Sequence, residues 1–231
     1  MADIVIREVT DNVWTFSRPF ALFGWIHVGG RSTAVRLSDG GVFVVASTPL
    51  SPETKTKLDD SVQYIVGINA VHNIYLSEFK KAYPDAKLLA PAAALARVDD
   101  KSLVFDGAWG RDPPDTKYGF EDDNKDVAFF HAKSSTLIEA DLVVNLPGKE
   151  QYSKSSMAGQ FPFYGPFGKP YGWIQQKFAA AQVADKDAMR RDAKTVAGFN
   201  FTRIIPCHGD VIEKDGNVVW KEAYKLHLEE S

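Results

Sequence analysis

The most restrictive feature of the sequence is a predicted strand hairpin that is followed by alternating helices and strands. The stretch STAVRLSDGGVFVVAS, residues 32–47, places two apolar segments around an Asp-Gly-Gly turn at 39–41, which predicts two antiparallel strands. A helix start follows, with Ser51 as N-cap and Pro52 at the first helical position. Residues 51–91 then predict helix, strand, helix and strand in turn. This order is typical of a layered α/β sandwich.

The rest of the chain adds strands and helices around two loops. DIVIREV and NVWTFS predict strands near the N-terminus, and VAFFHA, TLIEADLVVNL and TRIIPCHG predict three more. Residues 106–126 and 148–172 predict long loops, and residues 172–198 and 215–230 predict helices. The sequence has no internal repeat. We therefore expect a single domain over residues 1–231, with two strand-rich halves that are each covered by helices.

Composition and charge limit the class of protein. Hydrophobic residues make up 45% of the chain and charged residues 25%, the balance of an ordinary globular protein. A net charge of -3 argues against a non-specific nucleic-acid binder or a protein that binds anionic membranes. One cysteine cannot form an internal disulfide, and Asp3, Arg7 and Glu8 interrupt any apolar signal sequence. We expect a cytoplasmic protein that binds a small molecule, with self-association into a homo-oligomer left open.

Candidate metal ligands fall at the ends of predicted strands. His72, His131 and His208 each follow or close an apolar strand segment, and Asp141 interrupts the segment TLIEADLVVNL. Side chains at strand ends leave the core and can converge on a site built from loops. Two imidazoles and one carboxylate can bind a divalent ion and leave a coordination position open for water. Histidines at strand ends also serve as hydrogen-bonded structural residues, and that alternative stays open here.

Three segments resemble the metallo-β-lactamase-like fold superfamily. RIIPCHGDVI, residues 203–212, resembles its last metal-binding strand, in which a Pro-x-His-Gly turn supplies a ligand. IEADLVVNL resembles the segment whose aspartate bridges two metals, and STAVRLSDGGVFVVAS resembles the N-terminal hairpin. The resemblance covers most of residues 12–212. It implies an α/β (α+β) fold, a four-layer αβ/βα sandwich.

The main signature of that superfamily, His-x-His-x-Asp-His, is degenerate in this sequence. The motif would end at His72, and the residues there are GINAVH, so only its last histidine is present. Ser47-Thr48 stand where many relatives carry an acidic residue. The resemblance implies that His72, Asp141 and His208 form one remaining site for a single divalent metal, zinc or iron, with His131 as a candidate fourth ligand or base.

Two residues near these ligands have alternative interpretations. Cys207 is either a small buried hydrophobic residue or a residue with a redox or ligand role. Asn69 either donates a hydrogen bond to substrate or forms a turn.

An aromatic segment lies within the second predicted loop. FPFYGPFGKPYGW, residues 161–173, contains six aromatic residues among thirteen, against 12% in the whole chain. It predicts either a lid over an apolar substrate or a segment that packs onto the core or a dimer interface. As a lid it would supply substrate contacts from Phe161, Phe163, Tyr164, Phe167 and Trp173. The aromatic residues of 14–25 are expected to border the same opening, and Arg111 and Lys169 are candidates to meet a substrate carboxylate.

Three functional hypotheses follow. The first is a mononuclear metal-dependent hydrolase of an ester, lactone or amide in a small, partly aromatic substrate. The second keeps one metal but uses iron for oxygenase or lyase chemistry. The third is a fold relic with no cofactor that binds a small molecule or a protein partner. The sequence contains no motif of a serine hydrolase, a phosphate-binding loop or a dinucleotide-binding fold.

Overall fold

The structure, a computed structural model, describes residues 4–113, 126–155, 169–181, 183 and 185–229. It is built from four layers, helix, sheet, sheet and helix. The strands are β1 (Val5–Thr10), β2 (Val13–Arg18), β3 (Ala21–Leu22), β4 (Ile26–His27), β5 (Gly30–Arg36), β6 (Val42–Val45), β7 (Val62–Val66), β8 (Lys87–Pro91), β9 (Gly107–Trp109), β10 (Phe129–His131), β11 (Thr136–Ile138) and β12 (Arg203–Ile205). The helices are α1 (Pro52–Leu58), α2 (Leu76–Ala82), α3 (Ala92–Leu95), α4 (Trp173–Ala181), α5 (Lys186–Ala197), α6 (Gly216–Ala223) and α7 (Lys225–Glu229).

The larger sheet has the strand order β1-β2-β5-β6-β7-β8-β9. Its first four strands pair antiparallel, and β6 to β9 pair parallel. The hairpin predicted around residues 39–41 is the β5–β6 pair, and the alternating helices and strands after it form the parallel half, as predicted. Ser51 caps α1 by accepting a hydrogen bond from the amide of Thr54, with Pro52 at the first position.

The second sheet has the order β10-β11-β12, with β11 and β12 parallel. A separate two-stranded hairpin is formed by β3 and β4. The mixed α/β architecture is the layered sandwich that the sequence predicts.

Three hydrophobic clusters fill the three spaces between the layers. Within β6, Val44 faces helices α1 to α3 and Val45 faces the second sheet, because successive side chains of a strand point to opposite faces. Within β12, Ile205 packs between the sheets and Ile204 packs against the helices α4 to α7. Both sheets are therefore covered on both faces, which explains why β6, with the sequence VFVV, is wholly apolar.

The structure differs from the sequence-based expectations in three places. The segment TLIEADLVVNL forms a strand only over Thr136–Ile138, because the carboxylate of Glu139 accepts the amides of Leu142 and Val143 and closes a turn. The predicted helix over 172–198 is two helices, and the second begins at Asp185, whose side chain caps it. The predicted loop over 106–126 contains β9. In the part of the chain that is described, none of the helices has the length and apolar character needed to cross a membrane.

Candidate metal centre

The candidate ligands meet at one edge of the two facing sheets. Asn69 and His72 follow β7, Asp141 follows β11, and His208 follows β12. Strands β6 and β7 are parallel, as are β11 and β12, so the carboxyl ends of neighbouring strands lie side by side. The chain leaves each strand at this edge, and the side chains that follow converge between the sheets.

His208 is fixed by a hydrogen bond to the backbone. Its Nδ1 lies 2.6 Å from the carbonyl oxygen of Gly29, and a carbonyl can only accept, so Nδ1 carries the proton. The other ring nitrogen, Nε2, lies 3.2 Å from Oδ1 of Asp141. In a neutral ring this Nε2 presents a lone pair, and such an orientation by a carbonyl is usual for histidines that bind a metal.

His72 approaches the same carboxylate from the other side. Its Nε2 lies 3.3 Å from Oδ2 of Asp141. Its Nδ1 lies 3.2 Å from Oγ of Ser47 and 3.3 Å from Sγ of Cys207, either of which can accept the Nδ1 proton. The two rings are close together, with centroids 5.2 Å apart.

The carboxylate of Asp141 lies between the two imidazoles, with one oxygen towards each ring. Two ligands that each lie ~2.0 Å from a tetrahedral zinc ion are separated by ~3.3 Å. The contact between Nε2 of His72 and Oδ2 of Asp141, 3.3 Å, and the contact between Nε2 of His208 and Oδ1, 3.2 Å, each have that length. Two histidines and one carboxylate would leave a fourth position for water, as catalytic sites require.

Cys207 forms a second donor set with the same histidines. Its Sγ and one nitrogen from each of His72 and His208 all lie within 4.8 Å of one another. However, Sγ contacts the Nδ1 edge of His72, opposite the Nε2 that faces Asp141. One imidazole cannot offer both nitrogens to one ion. The two donor sets are therefore alternatives: the set with Cys207 is compact, with its atoms within 4.8 Å, and the set with Asp141 rests on the two contacts between Nε2 and the carboxylate.

Asn69 orients Asp141. Its Nδ2 donates to Asp141 at 2.6 Å and lies 3.4 Å from Asp126, while its Oδ1 accepts the amides of Val71 and His72, each at 2.8 Å. The side chain is buried and both its donor and its acceptor are used. The prediction that Asn69 binds substrate is therefore wrong. The structure supports the alternative, a turn-forming asparagine, and adds an orienting role.

The turn that carries Cys207 and His208 is held by a buried arginine. Nη1 of Arg31 donates to the carbonyls of Pro206 and Gly209, each at 2.7 Å. Gly209 has φ +92°, and a Cβ there would lie 2.1 Å from the carbonyl oxygen of Asn145. Only glycine fits this close approach, so the backbone requires Gly209 directly after His208.

The cluster shifts the pKa values of its members. Burial would lower the pKa of His72, but the charge of Cys207 and the hydrogen bond with Asp141 raise it well above its usual value. The pKa of His208 rises for the same reasons. Burial would raise the pKa of Asp141, but the hydrogen bonds and charges of His208 and His72 lower it well below its usual range. In the metal-free protein the two imidazoles therefore tend to hold protons next to an ionised Asp141.

A cavity of about 550 Å³ opens onto these residues. His72, Asp141, Cys207 and His208 form one part of its wall, with Ser47 beside them. Its other walls are largely apolar and include Phe20, Leu22, Val28, Val144, Leu146 and Ile174. Phe20 stacks on the ring of His208, with centroids 6.0 Å apart. The cavity therefore offers an apolar surface next to the candidate ligands.

Other predicted site residues lie elsewhere. His131 pairs with Thr136 at the start of β11, the end of that strand opposite to Asp141, and its Nδ1 lies 2.7 Å from Oγ of Ser134. It is not brought to the cluster, so the prediction of a fourth ligand is wrong. Trp173 is 63% exposed and packs against Lys177, while its neighbour Ile174 lines the cavity. The predicted contacts Phe161, Phe163, Tyr164 and Phe167 lie outside the described residues.

Sequence reasoning missed two residues of the candidate site. The Gly29 carbonyl that orients His208 carries no side-chain signal in the sequence. Arg18, at the end of β2, lines the cavity, although the sequence pointed instead to Arg111 and Lys169. Of the aromatic residues of 14–25, which were expected to border the opening, Phe20 does so, whereas Trp14 and Phe16 are buried in the core.

Comparison with solved structures identifies the fold. A metallo-β-lactamase from Pontibacter korlensis superposes with a TM-score of 0.59 at 13% identity, and the match covers 99% of this chain and all 100% of that one. The metallo-β-lactamase FIM-1 from Pseudomonas aeruginosa, in its mono-zinc form, gives 0.59 at 14% identity over 97% of this chain and 94% of that chain. A metal-soaked Flv1 flavodiiron core from Synechocystis sp. PCC6803 gives 0.64 at 14% identity over 99% and 62%.

The protein thus has the metallo-β-lactamase fold, as the sequence resemblance implied. No protein-family model matches the sequence, and comparison with curated proteins gives no match either.

Proposed function

We propose that the protein is a hydrolase that uses one divalent metal ion, bound by His72, Asp141 and His208. The substrate would be a small ester, lactone or amide with an apolar, partly aromatic body. The observation that carries this proposal is the position of the two Nε2 atoms. Each faces its own oxygen of the Asp141 carboxylate, at 3.3 and 3.2 Å, and His208 has its other nitrogen committed to the backbone.

The residues of this chain would divide the work as follows. A bound divalent ion supplies a water of lowered pKa and polarises a substrate carbonyl. Asn69 holds the Asp141 carboxylate in place, and Gly29 holds the His208 ring. The apolar cavity binds the body of the substrate and excludes bulk water from the ligands. Three protein ligands leave the coordination position that a water needs.

The fold is compatible with this proposal. The similar structures include a metallo-β-lactamase with one zinc and a flavodiiron core soaked with metal. Those identities are too low to carry an activity over to this chain. The neighbours therefore support a metal-dependent class of reaction, and the substrate chemistry rests on the cavity.

The first experiment is the metal content of untagged protein, measured by mass spectrometry on wild type, Asp141→Asn and His208→Gln. We expect about one equivalent of zinc or iron in wild type and little in either variant. His131→Gln is the matched control, because it removes a histidine that is remote from the cluster. Protein that stays metal-free after soaking in zinc, manganese and ferrous iron would overturn the proposal.

The second experiment tests turnover with phenyl esters, aryl lactones and anilides. We expect hydrolysis of at least one class, its loss with a chelator, and its recovery when zinc or iron is restored. Iron in the purified protein with oxygen consumption and no hydrolysis would instead favour oxidative chemistry. Hydrolysis that continues unchanged after complete metal removal would contradict the mechanism.

A further inference from the structure

We propose that Arg18 binds a carboxylate of the ligand, so that the cavity accepts amphipathic anions: an apolar body with a carboxylate that is separate from any bond to be hydrolysed. The inference names the substrate class of the proposed hydrolase and in that respect rests on the proposed function. The evidence for it does not depend on a bound metal ion and concerns the side chain of Arg18.

Arg18 belongs to the same structural unit as His208. It is the last residue of β2, where it pairs with Gly30 of β5. The preceding residue, Gly29, holds the His208 ring through its carbonyl. Both Arg18 and His208 line the cavity, so Arg18 and the candidate metal ligands belong to the same wall.

The guanidinium of Arg18 has no partner in the part of the chain that is described. Its Nε is buried without a hydrogen bond. This is unusual for the protein. Six other arginines lie within 3.5 Å of a carboxylate: Arg7, Arg31, Arg36, Arg111, Arg191 and Arg203.

A buried donor without an acceptor destabilises a protein unless something else satisfies it. A ligand carboxylate would do so, because the planar guanidinium presents paired N–H groups that match the two oxygens of a carboxylate. The described charged residues of the cavity wall are Arg18, Asp141 and the two histidines. Away from the metal cluster, Arg18 is therefore the one charge that the described wall offers to a ligand.

The apolar walls define the rest of the ligand. Phe20 and Leu22, directly after Arg18 on the chain, line the cavity together with Val28. An anion that enters such a space must carry enough apolar surface to gain from burial, and its charge must be paired. Arg111, which the sequence suggested for this role, donates instead to both oxygens of Asp112.

The test compares two probes with the same apolar body, 4-phenylbutyrate and its neutral analogue 4-phenylbutyramide. Binding is measured by calorimetry on the full chain after metal removal, so that a carboxylate cannot gain affinity by binding a metal ion. We expect wild type to bind the acid at least tenfold more tightly than the amide, the effect of one charge-assisted hydrogen bond. Arg18→Gln should remove that preference and leave the affinity for the amide unchanged.

Two further variants control for charge and folding. Arg97→Gln removes the same charge from an exposed position outside the cavity wall, and it should behave as wild type. Arg18→Lys keeps the charge but loses the paired N–H groups, so its preference for the acid should fall several-fold without vanishing. If Arg18→Gln does not fold, an Arg18→Lys variant with the full wild-type preference overturns the proposal.

The remaining outcomes are also decisive. Three results would each overturn the proposal. Wild type binds the two probes with equal affinity, the preference for the acid survives in Arg18→Gln, or neither probe binds at millimolar concentration. A carboxylate preference at Arg18 in a protein that never binds metal would sustain this inference and reject the hydrolase. Metal-dependent turnover without that preference would support the hydrolase and reject the carboxylate site at Arg18.

Discussion

Nε2 of His208 lies 3.2 Å from Oδ1 of Asp141, on the side of the ring opposite the Nδ1–H that is donated to Gly29. Because Nδ1 is committed, Nε2 can meet the carboxylate in only two ways. It carries a second proton, or both groups bind a cation that lies between them. His72 also faces Asp141 through Nε2, at 3.3 Å from the other oxygen, while its Nδ1 faces Ser47 and Cys207. A metal ion bound as we propose would therefore compete with protons at this cluster.

Metal should stabilise the folded protein through this site. At 100 times its dissociation constant a ligand adds ~2.7 kcal/mol to the free energy of unfolding, which corresponds to a rise in Tm of roughly 5–10 °C for a chain of this size. We expect zinc to produce such a rise in metal-stripped wild type and EDTA to reverse it. His208→Gln and Asp141→Asn should show no rise in differential scanning fluorimetry.

His131→Gln is the control for that measurement, because His131, the last residue of β10, pairs with Thr136 at the end of β11 opposite to Asp141. It should keep the full zinc-induced rise. A rise that persists in His208→Gln but disappears in His131→Gln would place the metal elsewhere in the protein.

Cys207 should be ionised near neutral pH in the metal-free protein. Burial would raise the pKa of this thiol, but the nearby charges of His72 and His208 lower it to about 6. Thiolate absorbance at 240 nm should therefore rise with a midpoint near that value, and His72→Gln should move the midpoint upward. Cys207→Ser provides the blank. A wild-type midpoint of ~8.5, the value of an ordinary thiol, would contradict this account.

Asn69 should matter for both stability and metal affinity. Asn69→Ala removes the acceptor of two buried amides and the donor to Asp141, so we expect a loss of ~1–3 kcal/mol in urea unfolding. Metal affinity should fall by about 10–100-fold, as when other groups that orient ligands are removed.

Asn69→Asp separates the two roles of this side chain. It keeps an oxygen for the amides of Val71 and His72 but places a second carboxylate against Asp141. In Asn69→Ala we expect stability and metal affinity to fall together. In Asn69→Asp the two quantities should not change in parallel. Wild-type metal affinity in Asn69→Ala would show that Asp141 needs no such support.

Much of the fold could be predicted because it follows from local patterns. The β5–β6 hairpin has an Asp-Gly-Gly turn, and α1 has Ser51 and Pro52 at its start. The boundaries that failed depend on side chains that act on the backbone. Glu139 ends β11 by accepting two amides, and Asp185 starts a new helix. Such contacts compete with strand and helix continuation and are hard to foresee from periodicity.

Within the candidate site, the sequence could predict only those residues that directly follow a predicted strand. His72, Asp141 and His208 are such residues, and the structure brings them together. Gly29 lies 179 residues before His208, and a backbone carbonyl has no sequence signature. Arg18 reaches the cavity because β2 pairs with β5, which no local pattern reports.

Tyr83 offers a test of the packing away from the site. Its hydroxyl is buried among hydrophobic residues with no hydrogen-bond partner in the part of the chain that is described. Tyr83→Phe removes that unsatisfied group, so the free energy of unfolding at pH 7 should stay the same or rise by up to ~1 kcal/mol.

The same substitution should change the response to alkaline pH. Burial, with Asp60 and Asp59 nearby, raises the pKa of Tyr83 to about 12. An unfolded tyrosine ionises near pH ~10, so wild type loses stability as the pH rises from there towards the folded value. Tyr83→Phe lacks this loss and should gain ~1 kcal/mol on wild type by pH ~11 in urea titrations. Parallel pH profiles would mean that the phenol reaches water, and a less stable variant at pH 7 would mean that the hydroxyl has a partner.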